Sequence, residues 1–220
     1  MSNLPEKIVN TTNNQSAVDL FNKLADSYQE RFLSVEAYSE SFHALLSLLG
    51  KNSRVLDVAC GPGNISRFLL NERPDLEILG VDLAPNMIEW AKKNNPTATF
   101  KVHDAQQIDQ LTGPFDAIIV GFLFPYFSMT QVREFIEKTR KMLPENGILY
   151  ISTMEDRYEN SRFRSSSTGE QLLMHYYEAA DLIGILEVNQ FEIVFEKRQL
   201  FSADLPDSDT DLMLVARKIA

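Results

Sequence analysis

The chain has 220 residues, 44% of them apolar, and a formal net charge of -10. That length can bury one sizeable core, so a single domain over residues 1–220 is the default expectation. The acidic balance, with an isoelectric point near 4.8, excludes duplex DNA or RNA as a partner, because such binders need a basic face that releases counterions. The longest apolar run, Ala117 to Pro125, is far short of the roughly 20 residues that cross a bilayer. The polar start SNLPEKIVNTTNN does not read as a signal peptide, so no membrane partner and a cytoplasmic protein are expected. The single cysteine, Cys60, has no partner for a disulfide or a metal site. No carboxylate cluster points to a metal either.

In chain order, residues 1–16 are polar and expected to be loose. From Ala17 to Phe32, Leu20, Phe21, Leu24 and Tyr28 recur at helical spacing. Val35, Tyr38, Phe42, Leu45, Leu46 and Leu49 suggest a second helix stopped by Gly50. The two helices precede the first strand, and residues 17–50 read either as plain scaffold or as a helical flap over a ligand, with Tyr28 on the entrance side.

The stretch Arg54 to Leu70, RVLDVACGPGNISRFLL, reads as a buried parallel strand, a tight glycine turn and a helix for which Asn64 is a suitable N-cap. A nucleotide-like ligand is the first hypothesis. A loop of this kind can cradle a pyrophosphate. Against that, Ser66 stands where a third glycine would be, Pro62 removes an N–H donor, and Asp57 places a negative charge at the loop mouth. Such a charge suits a ligand with a cationic end, and S-adenosylmethionine has an ammonium, a sulfonium and an adenosine. Asp57 also has a structural alternative, tying down the turn, and both roles are compatible.

Leu76 to Asp82 (LEILGVD) is a second strand ending in an acid, with Pro85 at a first helical position for NMIEWAKKN. In a βαβ unit an acid at this distance beyond Gly61 sits at the end of the neighbouring strand, where it can accept both ribose hydroxyls of a nucleoside. A third strand, Ala98 to His103, leads to Asp104, placed to accept an adenine amino group. A fourth strand, Phe115 to Gly121, runs into Phe122–Phe127; the next helix carries Val132, Phe135, Ile136, Thr139 and Met142 on one face, and a fifth strand follows at Gly147 to Thr153. Residues 154–177 are polar and serine-rich and read as a long, lid-like insertion. A helix Glu178 to Asn189 and strands at Phe191–Lys197 and Asp211–Arg217, joined as an antiparallel hairpin, close the chain. The alternation predicts an α/β fold: a doubly wound, mostly parallel seven-stranded sheet with an antiparallel C-terminal strand, helices on both faces and the N-terminal helical flap.

VLDVACGPGN, GVDLAPNMIEWA, HDAQQI, FDAIIVGFLFPYFS and LPENGILYIST, in this order and at these spacings, resemble the successive motifs of class I S-adenosylmethionine-dependent methyltransferases of the small-molecule type, over about Ala17 to Arg217. FNKLADSYQERF is similar to the helix that precedes these motifs in that family. Ala59 departs from the family, which often has glycine there, and a slightly tighter loop is expected. The resemblance implies methyl transfer from S-adenosylmethionine to a small-molecule acceptor in a monomer or homodimer. It implies that Asp57 and the Ala59, Cys60 and Gly61 backbone hold the methionine end and Asp82 the ribose. Leu83 and Met87 would take the adenine faces, Asp104 with the Ala105 backbone the adenine amino group, and Gly121 and Phe122 the sulfonium border.

In-line methyl transfer needs a general base only when the nucleophile is protonated. The base candidates are His175 and Tyr126, each with a packing alternative, and Phe124, Tyr126 and Tyr177 are expected as walls of the acceptor site. A DNA amino-methyltransferase is disfavoured, since Leu123-Phe124-Pro125-Tyr126 replaces that group's motif after the fourth strand. A nicotinamide-dependent oxidoreductase and a non-catalytic S-adenosylmethionine-binding protein remain as alternatives.

Overall fold

The computed structural model describes residues 6–31, 35–166, 169–201 and 209–220. Residues 1–5 of the expected loose terminus, Phe32 at the expected end of the first helix, residues 167 and 168 of the lid-like insertion and the turn at 202–208 lie outside the described residues. Strands β1 (Arg54–Val58), β2 (Glu77–Asp82), β3 (Thr99–Val102), β4 (Ala117–Gly121) and β5 (Ile148–Glu155) pair in parallel in the order β3-β2-β1-β4-β5. A two-stranded antiparallel hairpin, β6 (Arg162–Ser165) and β7 (Gln171–Met174), stands outside that sheet. β8 (Phe191–Leu200) and β9 (Thr210–Lys218) complete it, with β9 inserted antiparallel between β5 and β8. Among the described residues the main sheet therefore has seven strands, one of them reversed, as the sequence predicts.

The helices are α1 (Glu6–Arg31), α2 (Ser39–Ser47), α3 (Asn64–Glu72), α4 (Pro85–Asn94), α5 (Met129–Met142) and α6 (Ala179–Val188). Strand side chains alternate between faces, and two cores result. Leu56, Val58, Ile118, Val120 and Leu149 face Phe135 and Ile136 of α5 and Leu182 and Leu186 of α6. Val55, Ile119, Ile148 and Tyr150 face Phe42 and Leu45 of α2 and Leu69 of α3. A side chain of this size contributes roughly 1.5 to 3 kcal/mol when fully buried, so these two layers hold the strand ends in place. The start of α5 is fixed by a capping box: the Ser128 hydroxyl accepts from the Gln131 N–H (3.4 Å), and the Gln131 side chain accepts from the Ser128 N–H (2.8 Å). No helix among the described residues is long and apolar enough to cross a membrane.

Three local expectations are corrected. Residues 6–16 are not loose; they form the first turns of the 26-residue α1, since a helix once nucleated adds one hydrogen bond per residue fixed. Asn64 is the first helical residue rather than the N-cap. Gly63 is the cap, at φ 79°, because a side chain there would collide with Asn95 Nδ2, 2.5 Å from an added Cβ. Within 154–177, β5 runs on to Glu155 and β6 and β7 form a hairpin. Arg162–Ser165 is exposed throughout and Gln171–Met174 does not alternate, so neither reads as a strand in sequence. Packing of buried Leu172 against Ala17 and Leu20 of α1 organises the hairpin.

Candidate functional site

The strand order reverses between β1 and β4, and in such sheets ligands bind beyond the C-terminal strand ends at the reversal. A cleft lies there, about 910 Å³ including its mouth, walled by the segments after β1, β2, β3 and β4 and by α1. The loop after β1 takes three left-handed residues, Ala59 (φ 54°), Gly61 (φ 53°) and Gly63. For alanine that conformation costs about 1–2 kcal/mol; this strain, beside the cleft, is what the Ala59 departure amounts to. A Cβ built on Gly61 meets no heavy atom within 4 Å, so that edge of the loop is open.

Asp82, at the end of β2, joins the loop to the next helix. One carboxylate oxygen accepts the Gly61 N–H (2.9 Å) and the other the Ala84 N–H (2.8 Å). Burial raises its pKa against these bonds. A carboxylate has about four lone-pair sites, so two such bonds leave capacity for a diol. Leu83 and Met87 lie beside it, the first 37% exposed and the second buried. At the end of β3, Asp104 accepts the Gln106 N–H (2.8 Å) and caps the 3-10 turn Ala105–Gln110. Asp104, Ala105, Gln106 and His103 form that wall. Gly121 and Phe122 close the β4 side, Gly121 because an added Cβ would sit 2.5 Å from Ile65 Cδ1.

The roof is α1. It runs along α4 through a ladder of side-chain bonds: Asn86 donates twice to Asn22 (2.9 Å each), Trp90 Nε1 donates to Asp26 (2.7 Å), and Asn94 donates to Gln29 (2.9 Å). This sets Val18, Phe21 and Tyr28 over the cleft. The Phe21 ring meets Tyr28 (5.6 Å, 90°) and Tyr126 (5.4 Å, 87°) edge to face. Burial, and secondarily Asp82, pushes Tyr28 up to about 12; burial raises Tyr126 further.

Of the residues singled out in the sequence, the structure brings Tyr28, Ala59, Gly61, Asp82, Leu83 and Met87 together with Asp104, Ala105, Gly121, Phe122 and Tyr126 on this cleft. Five fall elsewhere. Asp57 is 1% exposed beneath the loop, accepting from the Ser66 hydroxyl (2.6 Å); desolvation raises its pKa to about 7 although that bond opposes the shift. Cys60 turns its sulfur into the cluster of Ile88, Ala91 and Phe100 and donates its N–H to the Val81 carbonyl (3.0 Å). His175 is buried, stacked on Tyr158 (5.5 Å, 6°), and its backbone N–H donates to the Pro125 carbonyl (2.8 Å). Burial lowers its pKa. The expected walls Phe124 and Tyr177 are core residues, with the Tyr177 hydroxyl bonded to the Phe127 carbonyl. The sequence reading missed Val18, His103, Gln106, Leu123 and Phe127. Phe21 belonged to its apolar stripe, and only the docking of α1 on α4 turns that residue to the cleft.

Comparison with known proteins adds a likeness over part of the chain. Residues 55–147 match a family model described as a methyltransferase domain. A demethylmenaquinone methyltransferase of Thermotoga maritima is 33% identical over 139 residues, 61% of this chain and 60% of the relative. A malonyl-acyl-carrier-protein O-methyltransferase of Acetivibrio thermocellus is 31% identical over 117 residues, 50% of this chain and 40% of the relative. The match thus spans 40 to 60% of the length of these two relatives. The crystal structure of Burkholderia thailandensis 1,6-didemethyltoxoflavin-N1-methyltransferase, with 1,6-didemethyltoxoflavin and S-adenosylhomocysteine bound, superposes at TM-score 0.72 and 16% identity, over 100% of this chain and 92% of that one; the likeness is one of fold. The match over residues 55–147 thus makes that stretch similar to a methyltransferase domain, and the fold around it is one that solved methyltransferases share.

Proposed function

We propose that the chain binds S-adenosylmethionine in this cleft and transfers its methyl group to a small-molecule acceptor by in-line displacement. The observation that carries this reading is Asp82: it lines the cleft at the end of β2, each oxygen is fixed by a backbone N–H, and acceptor capacity remains for the vicinal hydroxyls of a ribose. The rest of the donor set fits the same molecule. Asp104 and the backbone at Ala105 are suited to an adenine amino group, Leu83 and Met87 to its apolar faces, and the open edge at Gly61 to the amino-acid end. Asp57 would act from beneath, holding the loop through Ser66 rather than touching the ligand.

S-adenosylmethionine, when bound, supplies the methyl group and a positively charged sulfur leaving group. The protein's part is then to orient and to exclude water. Gly121 and Phe122 border the reacting end, while α1 and Leu123, Tyr126 and Phe127 cover it. Fixing two reactants in a productive geometry contributes roughly 7–11 kcal/mol in the best intramolecular cases. No proton transfer is required of the chain if the acceptor atom has a free lone pair.

The test is calorimetric titration with S-adenosylhomocysteine, with NADH in parallel. Saturable binding near micromolar, about -8 kcal/mol, to the first and none to the second is expected. Binding of NADH alone would overturn the reading in favour of a nicotinamide enzyme, and binding of neither would remove the cofactor assignment.

A further inference from the structure

Resting on the reading of the cleft as a cofactor site, we propose that Tyr38 and Asp211, neither of which lines the cleft, are positioning residues that together hold Phe122 where it borders the sulfur end of the cofactor. Phe122 lines the cleft just beyond β4, half-buried, with a left-handed backbone at φ 53°. A residue that carries a side chain persists in that conformation only where its surroundings over-determine it.

Those surroundings come from one pair of strands. The Phe122 N–H donates to the Ser152 carbonyl of β5 (2.9 Å), which ties down the backbone. The Phe122 ring stands edge to face against Tyr38 (5.5 Å, 67°), a contact that sets direction as well as distance. Tyr38 ends the 3-10 turn Glu36–Tyr38, in which no residue is buried, so the turn by itself does not fix the ring. Bonds at both ends of the residue do. The Tyr38 hydroxyl donates to Asp211 Oδ2 on β9 (2.8 Å). The Tyr38 carbonyl accepts the Ser41 hydroxyl (2.7 Å), which lies 3.0 Å from the Tyr150 hydroxyl of β5. In the register of β5 with β9, Ser152 is opposite Met213 and Met154 opposite Asp211. The ladder that grips the Phe122 backbone therefore also grips, through Asp211, the ring that backs the Phe122 side chain.

The carboxyl of Asp211 is placed for this task rather than for packing. It is 1% exposed and precedes five buried apolar residues, Leu212–Ala216, so an apolar side chain would suit the position as core. Burial disfavours its charge, and Asp209 opposes it further. What the acid adds is a charged acceptor, which holds a hydroxyl more firmly than a neutral one does.

The test is calorimetric titration of the full chain and its variants with S-adenosylhomocysteine at pH 8, above the value of about 6 to which burial lifts Asp211, so that the carboxyl is charged. Tyr38→Phe and Asp211→Ala are each expected to weaken binding at least about threefold, and Asp211→Asn, which retains an oxygen for the Tyr38 hydroxyl, to weaken it less than that. Phe122→Gly keeps the left-handed backbone without the ring and is also expected to bind more weakly than the parent. The deciding readout is the double variant. If Tyr38 acts through Phe122, adding Tyr38→Phe to Phe122→Gly costs less than about a further twofold, whereas a general loosening of the fold weakens both backgrounds alike. A further loss of about twofold or more in that background overturns the proposal. So does parent-like affinity of Tyr38→Phe or of Phe122→Gly, or Asp211→Asn binding as weakly as Asp211→Ala. Urea unfolding of each variant checks that folded chain is being titrated; if Asp211→Ala does not fold, Tyr38→Phe, which removes a single oxygen, decides the matter. Failure of the parent to bind S-adenosylhomocysteine is a different result, which removes the cofactor reading itself.

Discussion

The buried carboxyl of Asp57 makes the stability of the fold depend on pH in a direction opposite to that of a salt-bridged acid. It is 1% exposed, and the Ser66 hydroxyl and backbone N–H favour its charged form, yet desolvation outweighs them and lifts its pKa from 3.8 to about 7. Below pH 3.8 the group is protonated folded and unfolded, and it adds no pH dependence. As pH rises toward 7 the unfolded chain loses the proton while the folded chain keeps it, so stability falls through that window and levels off above it. The shift of about 3 units, at 1.36 kcal/mol each, amounts to a loss on the order of 4 kcal/mol. Asp57→Asn retains an oxygen to accept from Ser66 and carries no charge. Urea unfolding at pH 4, 5, 6, 7 and 8 is therefore expected to show the parent losing several kcal/mol relative to the variant across the series. Asp211 is likewise raised by burial, to about 6, and drops out of the difference between the two curves, which reports Asp57 together with its repulsion by Asp82. Parallel curves, or a variant that loses ground as pH rises, would refute the reasoning.

Three further outcomes are expected. Asp82→Ala should weaken S-adenosylhomocysteine binding by about 1.5–3 kcal/mol, the range for hydrogen bonds to a charged group, measured by calorimetry; affinity within twofold of the parent would take Asp82 out of the site. Gly80→Ala should destabilise the fold by about 1–3 kcal/mol, because the new Cβ would lie 2.3 Å from the Phe100 ring and 3.1 Å from Cys60 Sγ; an unchanged urea midpoint would contradict the packing described between β2 and β3. Trp90→Phe removes the 2.7 Å bond to Asp26, and hydrogen exchange should quicken in α1 while β1 and β4 stay protected. Uniform change across the chain would mean that α1 does not open separately.

The centre of the parallel sheet was legible because β1, β4 and β5 are buried on both faces and read as apolar runs. Asp82 was legible for the same reason, since an acid ending such a run has few places to go. Asp57 illustrates what was not. Its charge at the edge of a glycine loop suggested a ligand contact, but its parity in β1 is that of Val55, which faces α2 and α3, and there Ser66 meets it under the loop. The acceptor side depends on long-range docking that local pattern does not carry. His175 is six residues beyond Gly169 in sequence, but the hairpin carries it behind Pro125, away from the cleft. Phe124 and Tyr126 differ by two positions and part company because a 3-10 turn sends the first to Phe135 and the second to Phe21.

The place of β9 in the sheet bears on the order of assembly. β8 is the edge strand and is hydrogen-bonded to β9, which is itself paired along its length with β5. During synthesis β8 emerges first and has no sheet partner until β9 follows. The β5 edge stays open meanwhile, with buried-type residues such as Ile151 and Tyr150 beside it. Unpaired strand edges template association with other chains. The nascent protein is thus most exposed to misassembly in the interval between those two strands, and a chaperone that shields a sheet edge would act there.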